Sequence, residues 1–357
     1  MHLLLETVSV PFLPTLWFIL VAVLWIGFFF LEGFDFGVAM LLPILGKNDK
    51  DRRVIVNTIG PTWDGNEVWL LTAGGAMFAA FPGWYASLFS ALYLPLLLVL
   101  LGLILRGVAF EYRSKHHTSR YRNMLDTFAT VGSFLTTLVL GVGFANFVIG
   151  LPNDGLLFTG TFLGHFTWFT LLGGVLLVAI FVTHGAAFLA LKTKGEVHER
   201  AKALGVKVGW VSVALLAAFV VAQNTLWPAT SEFGDFAVIV WILGIVSVVA
   251  LAAAVVMIGK DRDGWAFIFT GLSIATLFIG IFFRLFGNLG FAQDTSVAPT
   301  DRLNILTAAS SDTTLTIMSV AALVFVPVVL GYQAWSYWVF RKRISAKNIP
   351  DEVGVAH

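Results

Sequence analysis

The chain has 357 residues, of which 58% are hydrophobic and only 12% are charged, whereas a soluble domain carries roughly 25% charged residues. This composition excludes a soluble enzyme and predicts an all-α, polytopic integral membrane protein, a single transmembrane domain over residues 1–357. The formal net charge of +1 gives no electrostatic basis for nucleic-acid binding. The absence of cysteine excludes disulfides, iron–sulfur clusters and thiolate metal sites within the chain.

Apolar segments that could cross a bilayer, which takes roughly 20 residues each, recur along the whole chain. The first 15 residues lack a basic n-region, so we expect no cleaved signal peptide and a first apolar segment that stays as a helix. The turn sequence Pro82-Gly83 divides the longest charge-free run. The nine predicted transmembrane helices lie near residues 12–44, 58–81, 84–110, 124–149, 161–191, 206–226, 237–259, 265–285 and 313–340.

Basic residues mark one side of the membrane. Nineteen of the 22 Lys and Arg residues fall in one set of alternate loops, and the opposite loops hold only Arg302. By the positive-inside rule, the N-terminus is outside and the C-terminus is cytoplasmic, which requires an odd number of helices. No loop exceeds about 30 residues, so we expect any chemistry to take place within the membrane or through a partner.

The first predicted helix carries two acids, Glu32 and Asp35, in a stretch with no other charge between Thr7 and Gly46. They are three residues apart and therefore share one helical face. An acid at membrane depth is expensive and usually faces protein, water or a proton path. We interpret the pair as a proton or cofactor site; the alternative is an ion pair that serves packing.

The second predicted helix opens with a dense polar group, Trp63-Asp64-Gly65-Asn66-Glu67. Asp64 and Glu67 also lie three residues apart, and two close carboxylates resist being ionised together. The same residues suit a helix start, because acids complement the helix dipole and Asp64 could act as an N-cap. Both interpretations stay open on this stretch alone.

Arg106, in the third predicted helix, is the first charged residue after Glu67. Arginine cannot lose its charge, so it needs an acidic partner or water. We expect Asp35 or Asp64 to be that partner, because all three lie toward the cytoplasmic half. The alternative is an arginine that snorkels to the interface. The next basic residue, Arg113, is interpreted as an ordinary positive-inside residue.

Two histidines, His165 and His184, fall in a predicted span, and both lie in the fifth. Their separation of 19 residues is about 28 Å along a helix, so they cannot ligate one metal ion together. A bis-histidine haem would need a second intramembrane histidine at matching depth on another helix, and the sequence has none. We therefore predict no metal site in this chain, and we interpret His184 as interfacial.

A set of distinctive segments recurs along the chain: Gly33-Phe34-Asp35-Phe36-Gly37, Asn48-Asp49 to Arg52-Arg53, Trp63-Asp64-Gly65-Asn66 to Trp69-Leu70, Thr72-Ala73-Gly74-Gly75-Ala76, Tyr112-Arg113-Ser114-Lys115, Trp265-Ala266-Phe267 and Tyr332 to Trp338. Together they strongly resemble subunit II of cytochrome bd-type quinol oxidases. The likeness spans most of the chain and is most specific between Gly33 and Lys115.

This resemblance implies a nine-helix, multi-pass subunit of the bacterial cytoplasmic membrane, paired with a homologous subunit I. Subunit I would carry two b-type haems, one d-type haem and the quinol-oxidising loop, whereas this chain would ligate no cofactor and hold no catalytic residue. It would support assembly and provide a cytoplasmic proton route for the reduction of dioxygen to water. Small accessory subunits, membrane lipids or a structural quinone are left open as further partners.

The resemblance also assigns roles to particular residues. The positions that match family residues tied to haem retention or proton delivery are Asp35, Trp63, Asp64 and Arg106. Two further acids, Glu67 and Glu32, are often Gln and Asp in relatives and complete the set of proton-path or haem-support candidates.

Two other hypotheses compete with an oxidase subunit. One is a secondary transporter whose Asp35, Asp64 and Arg106 bind substrate, and the other is a purely structural membrane subunit. Expression with and without a haem-bearing partner separates them. A transporter works alone, whereas an oxidase subunit is colourless alone and active only in the complex.

We predict that the isolated chain binds no haem stoichiometrically, because it lacks two intramembrane histidines at one depth. The measurement is the reduced absorption spectrum of the purified, partner-free chain. A b-type spectrum at one haem per chain would contradict the prediction.

Overall fold

The computed structural model describes residues 8–115, 118–155, 157–292 and 301–349. Helices account for most of these residues, as the apolar composition predicts. They are α1 (Phe12–Leu45), α2 (Asp49–Ile59), α3 (Trp63–Ala80), α4 (Pro82–Ala91), α5 (Tyr93–Tyr112), α6 (Ser119–Ile149), α7 (Trp168–Lys192), α8 (Glu196–Leu226), α9 (Ala237–Gly259), α10 (Asp263–Leu285) and α11 (Asp312–Val339).

Eight helices in the described ranges are long and apolar enough to cross a membrane: α1 and α5 to α11. The predicted second span is the one whose helix is not long and apolar enough to be included. Its helix, α3, has only 18 residues, and Asp64, Asn66 and Glu67 lower its hydropathy. The multi-pass character of the chain is thus confirmed, and the ninth crossing stays a prediction.

Two predicted boundaries are wrong because the chain breaks where a single helix was expected. The segment 58–81 is divided at Gly60, which separates α3 from the short amphipathic helix α2, capped by Asn48 through a 2.8 Å bond from the Asp51 backbone N–H. The segment 84–110 is divided at Leu92 into α4 and α5. Pro95 explains that break, because proline has no N–H to bond to the preceding turn.

The fifth span begins seven residues later than the predicted residue 161. Thr167 and Thr170 form a reciprocal capping box, with bonds of 3.2 and 2.8 Å between their hydroxyls and backbone N–H groups, and this fixes the start of α7 at Trp168. His165 therefore lies outside the span, in a 3₁₀ turn at 163–165. The prediction that it falls within the fifth span is wrong.

Two short hairpins lie in the connections before α7 and α9. Strands β1 (Asn153–Asp154) and β2 (Leu157–Phe158) pair antiparallel, with Asn153 opposite Phe158. Strands β3 (Thr230–Ser231) and β4 (Gly234–Asp235) pair in the same way, with Thr230 opposite Asp235.

The long first helix is the centre of the packing, since α1 contacts α3, α6, α7 and α10. Its middle carries closely packed aromatic rings. Phe29 stacks on Phe278 with a centroid distance of 3.9 Å and meets Phe144 edge-on at 4.9 Å. These fully buried contacts fix the rotation of α1 about its axis and so decide which way its two acids point.

A close backbone approach between α1 and α7 sets the depth of the same acids. A Cβ atom added at Gly37 would lie 1.9 Å from the Phe181 carbonyl oxygen, and one added at Gly185 would lie 2.5 Å from the Gly37 carbonyl carbon. Only glycine lets the two backbones meet this closely. Gly37 follows Asp35 by two residues, so this contact anchors the acid-bearing turn.

An ion-pair network ties the helix ends on the basic side. Arg113 donates to both carboxylate oxygens of Asp126, at 2.5 and 3.1 Å, and also contacts Asp49 at 3.0 Å. Arg52 reaches Asp126 at 3.0 Å, and Arg200 reaches Asp51 at 2.6 Å. Arg113 is buried and joins α2, α5 and α6, so it has a structural role beyond the ordinary positive-inside residue expected from the sequence.

We expect Gly37→Ala to destabilise the folded protein, because the added methyl group meets backbone atoms that cannot turn away. Overpacking of this kind costs about 1–3 kcal/mol, enough to lower a thermal unfolding midpoint by several degrees. Gly331→Ala in α11 is the matched control, because its added Cβ meets nothing within 4 Å. Equal midpoints for the two variants in a thermal unfolding scan would contradict the prediction.

Candidate functional site

A buried ion pair joins α1 to α5. Arg106 and Glu32 are both completely shielded from solvent, and Nη1 of Arg106 contacts Oε1 of Glu32. The same Nη1 donates to Oε2 of Glu67 on α3 at 3.1 Å. The predicted partners, Asp35 and Asp64, are not among the ion-pair partners of Arg106 in the described part of the chain. The prediction of an acidic partner was right, and the choice of acids was wrong.

Aromatic rings close the remaining sides of the Arg106 guanidinium. Its central carbon lies 4.7 Å from the ring centroid of Phe36, 5.2 Å from that of Phe110 and 5.6 Å from that of Trp63. Cation–π contacts are strongest where the cation is shielded from water. Trp63, a candidate from the sequence, thus contributes to the site through its ring face, against the buried charge.

Asp35 is bonded to α3. It is fully buried, and its Oδ2 accepts a 2.6 Å hydrogen bond from the side-chain N–H of Asn66. The carbonyl oxygen of Asn66 accepts in turn from Gln333 at 3.0 Å and from the Tyr337 hydroxyl at 2.8 Å, both on α11. Three helices therefore converge on Asp35 through one amide.

The acids differ in their access to solvent. Asp64 is exposed in the first turn of α3, the Glu67 side chain is 24% exposed, and Glu32 and Asp35 are inaccessible. Asp64 and Glu67 are neighbours on one helix face because they are three residues apart. The four carboxyl groups thus form a series from the surface to the interior. Asp64 and Glu67 lie at its outer end, and Glu32 and Asp35 lie at its inner end.

Asp64 does not cap α3. The N-cap residue is Thr62, whose side chain accepts no bond from the helix and whose hydroxyl donates to the Ile59 carbonyl at 3.2 Å. Asp64 is the second residue of the helix, two positions after the N-cap, where its charge complements the helix dipole. The suggested capping role is therefore wrong, and the alternative, a functional role for the close carboxylates Asp64 and Glu67, stays a prediction.

Several buried polar atoms in the site lack a hydrogen bond to the described protein atoms: Oε2 of Glu32, Oδ1 of Asp35, and Nε and Nη2 of Arg106. Buried polar groups are normally hydrogen-bonded to protein or to ordered water. These atoms lie around the inner pair of acids, so this is the part of the site best suited to water and to exchangeable protons.

His184 is not interfacial as predicted but fully buried. Its Nδ1 lies 2.7 Å from the Thr270 hydroxyl, its Nε2 lies 3.1 Å from the Phe30 carbonyl oxygen, and its ring stacks on Phe267 at 4.7 Å. Both ring nitrogens are engaged within the protein, an arrangement that fits poorly with metal ligation. His165 is buried in its turn, with Nδ1 3.1 Å from the Phe162 carbonyl oxygen.

Sequence reasoning missed the contribution of α11. Tyr337 lies in the distinctive segment Tyr332 to Trp338, to which no site role was assigned, yet its hydroxyl bonds to Asn66. The Trp69 indole N–H donates to Gln333 at 3.0 Å. The available signal was Gln333 itself, an uncharged amide within the apolar run of α11. A polar side chain at such a depth usually faces another helix.

Comparison with known proteins places this arrangement in a family. Residues 13–340 match the family model described as cytochrome bd terminal oxidase subunit II. The chain belongs to that family. As a cytochrome bd subunit II it is a multi-pass membrane component of an oxidoreductase, which confirms the resemblance read from its motifs.

Named relatives support the same family assignment for this subunit II. It is 43% identical over 345 residues to cytochrome bd ubiquinol oxidase subunit 2 of Bacillus subtilis, covering 94% of this chain and 98% of that protein. It is 38% identical over 365 residues to cytochrome bd-I ubiquinol oxidase subunit 2 of Escherichia coli K12, covering 94% and 96%. A solved bd oxidase structure from Geobacillus thermodenitrificans shares the fold, with a TM-score of 0.71, 15% identity and coverage of 92% and 98%.

We predict that Arg106→Ala destabilises the subunit strongly, because it leaves Glu32 buried without a counter-charge. Breaking a buried pair in this way costs about 3–5 kcal/mol. Glu67→Gln, which alters the partly exposed partner of the same guanidinium, should cost much less. Thermal unfolding of the two purified variants measures the difference, and an Arg106→Ala midpoint equal to that of Glu67→Gln would refute it.

Proposed function

We propose that this subunit II pairs with a homologous, haem-bearing subunit I in a quinol:oxygen oxidoreductase of the respiratory chain, and that it supplies cytoplasmic protons for the reduction of dioxygen to water. The names of the Bacillus subtilis and Escherichia coli relatives support a quinol substrate. Family membership favours this function over a secondary transporter. The series of acids from the surface to the interior favours it over a purely structural subunit.

The orientation of the chain is part of this proposal. We take α3 as the ninth crossing, with the N-terminus outside and the C-terminus cytoplasmic. The ion pairs of Arg113 with Asp49 and of Arg200 with Asp51 support this topology, because they gather three separate basic segments at one end of the bundle. Trp63, at the start of α3, packs against Phe110 near the end of α5, so the mouth of the acid series lies at that same end.

The proposed route runs from Asp64 through Glu67 to Glu32 and Asp35. Reduction of dioxygen to water consumes one proton for each electron, so a reaction centre buried in the membrane needs a path for protons. Carboxyl groups in sequence provide one, since each can accept and release a proton. Arg106 has a fixed role, because its permanent charge favours the ionised carboxylate that must receive the next proton.

The face of α3 that carries Asp64 is the proposed contact with subunit I. Val68 is 47% exposed and Leu71 is 72% exposed, and they continue the stripe that starts at Asp64. An acid on a lipid-facing stripe would be expensive, whereas one at a subunit contact can meet water or polar groups. This proposal would bring the acid series next to the haems expected in subunit I.

The test is Asp64→Asn in the assembled complex. The amide keeps the shape and hydrogen bonding of the side chain and removes its titration, so we expect oxygen consumption to fall at least about tenfold, as for loss of a general acid–base group, with haem content unchanged. Glu111→Gln is the matched control, because Glu111 is an exposed carboxylate on the last turn of α5.

The outcomes separate the alternatives. Full activity of Asp64→Asn would end the proton-route proposal at this residue. Loss of activity together with loss of haem would assign Asp64 to assembly and move the proposed proton path to Asp35. Equal losses of oxygen consumption in Asp64→Asn and Glu111→Gln would show that any surface carboxylate at this end affects activity. That result would contradict a route through defined residues.

A further inference from the structure

The hydrogen bonds behind Asp35 form a directed chain. The Trp69 indole N–H donates to Oε1 of Gln333 at 3.0 Å, Nε2 of Gln333 donates to Oδ1 of Asn66 at 3.0 Å, and Nδ2 of Asn66 donates to Oδ2 of Asp35 at 2.6 Å. An indole nitrogen can only donate, so Gln333 must present its oxygen to Trp69 and its NH₂ group to Asn66. The amide of Asn66 is thereby turned with its NH₂ group toward Asp35.

This direction has a consequence for Asp35. Asn66 donates to Oδ2, and the carbonyl-type oxygen of a carboxyl group is its better acceptor, so the protonated form is favoured with Oδ2 accepting and the proton on Oδ1. The atom Oδ1 accepts no hydrogen bond from α3 or α11, and it lies on the same buried turn as Glu32, which interacts with Asp35. An amide neither takes nor gives a proton under these conditions, so the α11 side of Asp35 is closed to proton exchange.

We propose that Asn66, held by Gln333 and Tyr337 of α11, is a positioning residue that makes Oδ1 the sole proton-exchanging atom of Asp35. Tyr337 strengthens this arrangement, because its hydroxyl donates to the same Asn66 oxygen at 2.8 Å. The titratable hydroxyl of Tyr337 is thus two hydrogen bonds from Asp35 and yet outside the proton path. The inference rests on the proposed proton route and adds to it the atom at which exchange occurs.

Other charged or titratable groups surround Asp35 and remain in place when α11 is altered. His184 of α7 bonds to the backbone oxygen of Phe30 and not to the acid. Those that act on Asp35 and remain are Glu32 on its own helix, Glu67 on α3 and Arg106 on α5. Tyr337 on α11 also interacts with Asp35, and it is the titratable group that the test removes.

The test removes the two donors of α11 from the assembled complex. In Gln333→Leu with Tyr337→Phe, the Asn66 amide can turn its oxygen to Asp35, which then favours the protonated carboxyl. We expect a turnover about fivefold lower and a pH profile of oxygen consumption shifted upward by about 0.7 pH unit, the equivalent of one net hydrogen bond. Tyr337→Phe alone should give a smaller shift in the same direction, because Gln333 still orients the amide.

Tyr332→Phe is the matched control, since it makes the same phenol-to-phenyl change on an exposed residue of α11. An unchanged pH profile in the double variant, or the same shift in Tyr332→Phe, would overturn the inference. So would loss of haem from the double variant, which would assign these contacts to assembly.

Asp35→Asn, measured alongside, separates this inference from the proposed function. Full turnover of Asp35→Asn would remove Asp35 from the proton route altogether. Loss of turnover in Asp35→Asn with a normal double variant would leave the route intact and reject only the role of α11.

Discussion

The contact between Arg106 and Glu32 is the constraint on which the rest of the site depends. A guanidinium cannot be neutralised by releasing a proton, so its burial in a bundle of apolar helices requires a carboxylate at the same depth. Glu32 meets that requirement from α1 and Glu67 adds to it from α3. The three aromatic rings around the guanidinium keep solvent away and make the pairing obligatory.

The position of the buried charge explains why α1 is packed so firmly. An ion pair between two helices tolerates little rotation or sliding, and α1 is held against both. The aromatic stack of Phe29 on Phe278 fixes its rotation, and the glycine contact with α7 fixes its height. Residues that touch none of the acids therefore decide the geometry of the acids. The motif around Asp35 combines glycines with its acid for this reason.

Much of this arrangement was predictable from the sequence, because hydropathy and charge act locally. The depth of Glu32 and Asp35 follows from the charge-free run around them, and the need of Arg106 for an acid follows from its chemistry. The choice of acid did not follow. Residues three apart on a helix differ by about 60° around its axis, so Glu32 faces α5 while Asp35 faces α3, and that rotation is a tertiary property.

Other errors have equally local causes. The break at Leu92 comes from a proline three residues later, and the late start of α7 comes from a pair of threonines that cap it. A prediction from hydropathy alone detects neither the helix break nor the helix start. The part played by Tyr337 was hidden for a different reason, since its depth relative to Asn66 depends on how α11 lies against α3.

The loose attachment of α11 bears on how the subunit is made. Only 6% of its most apolar stretch is covered by the rest of the chain, and near its C-terminal end the bonds of Gln333 and Tyr337 to the amide of Asn66 hold it in place. It is also the last of the described helices to leave the ribosome. The surroundings of Asp35 are thus completed only at the end of synthesis, so a truncated or stalled chain would insert most of its helices and still lack a finished acid site.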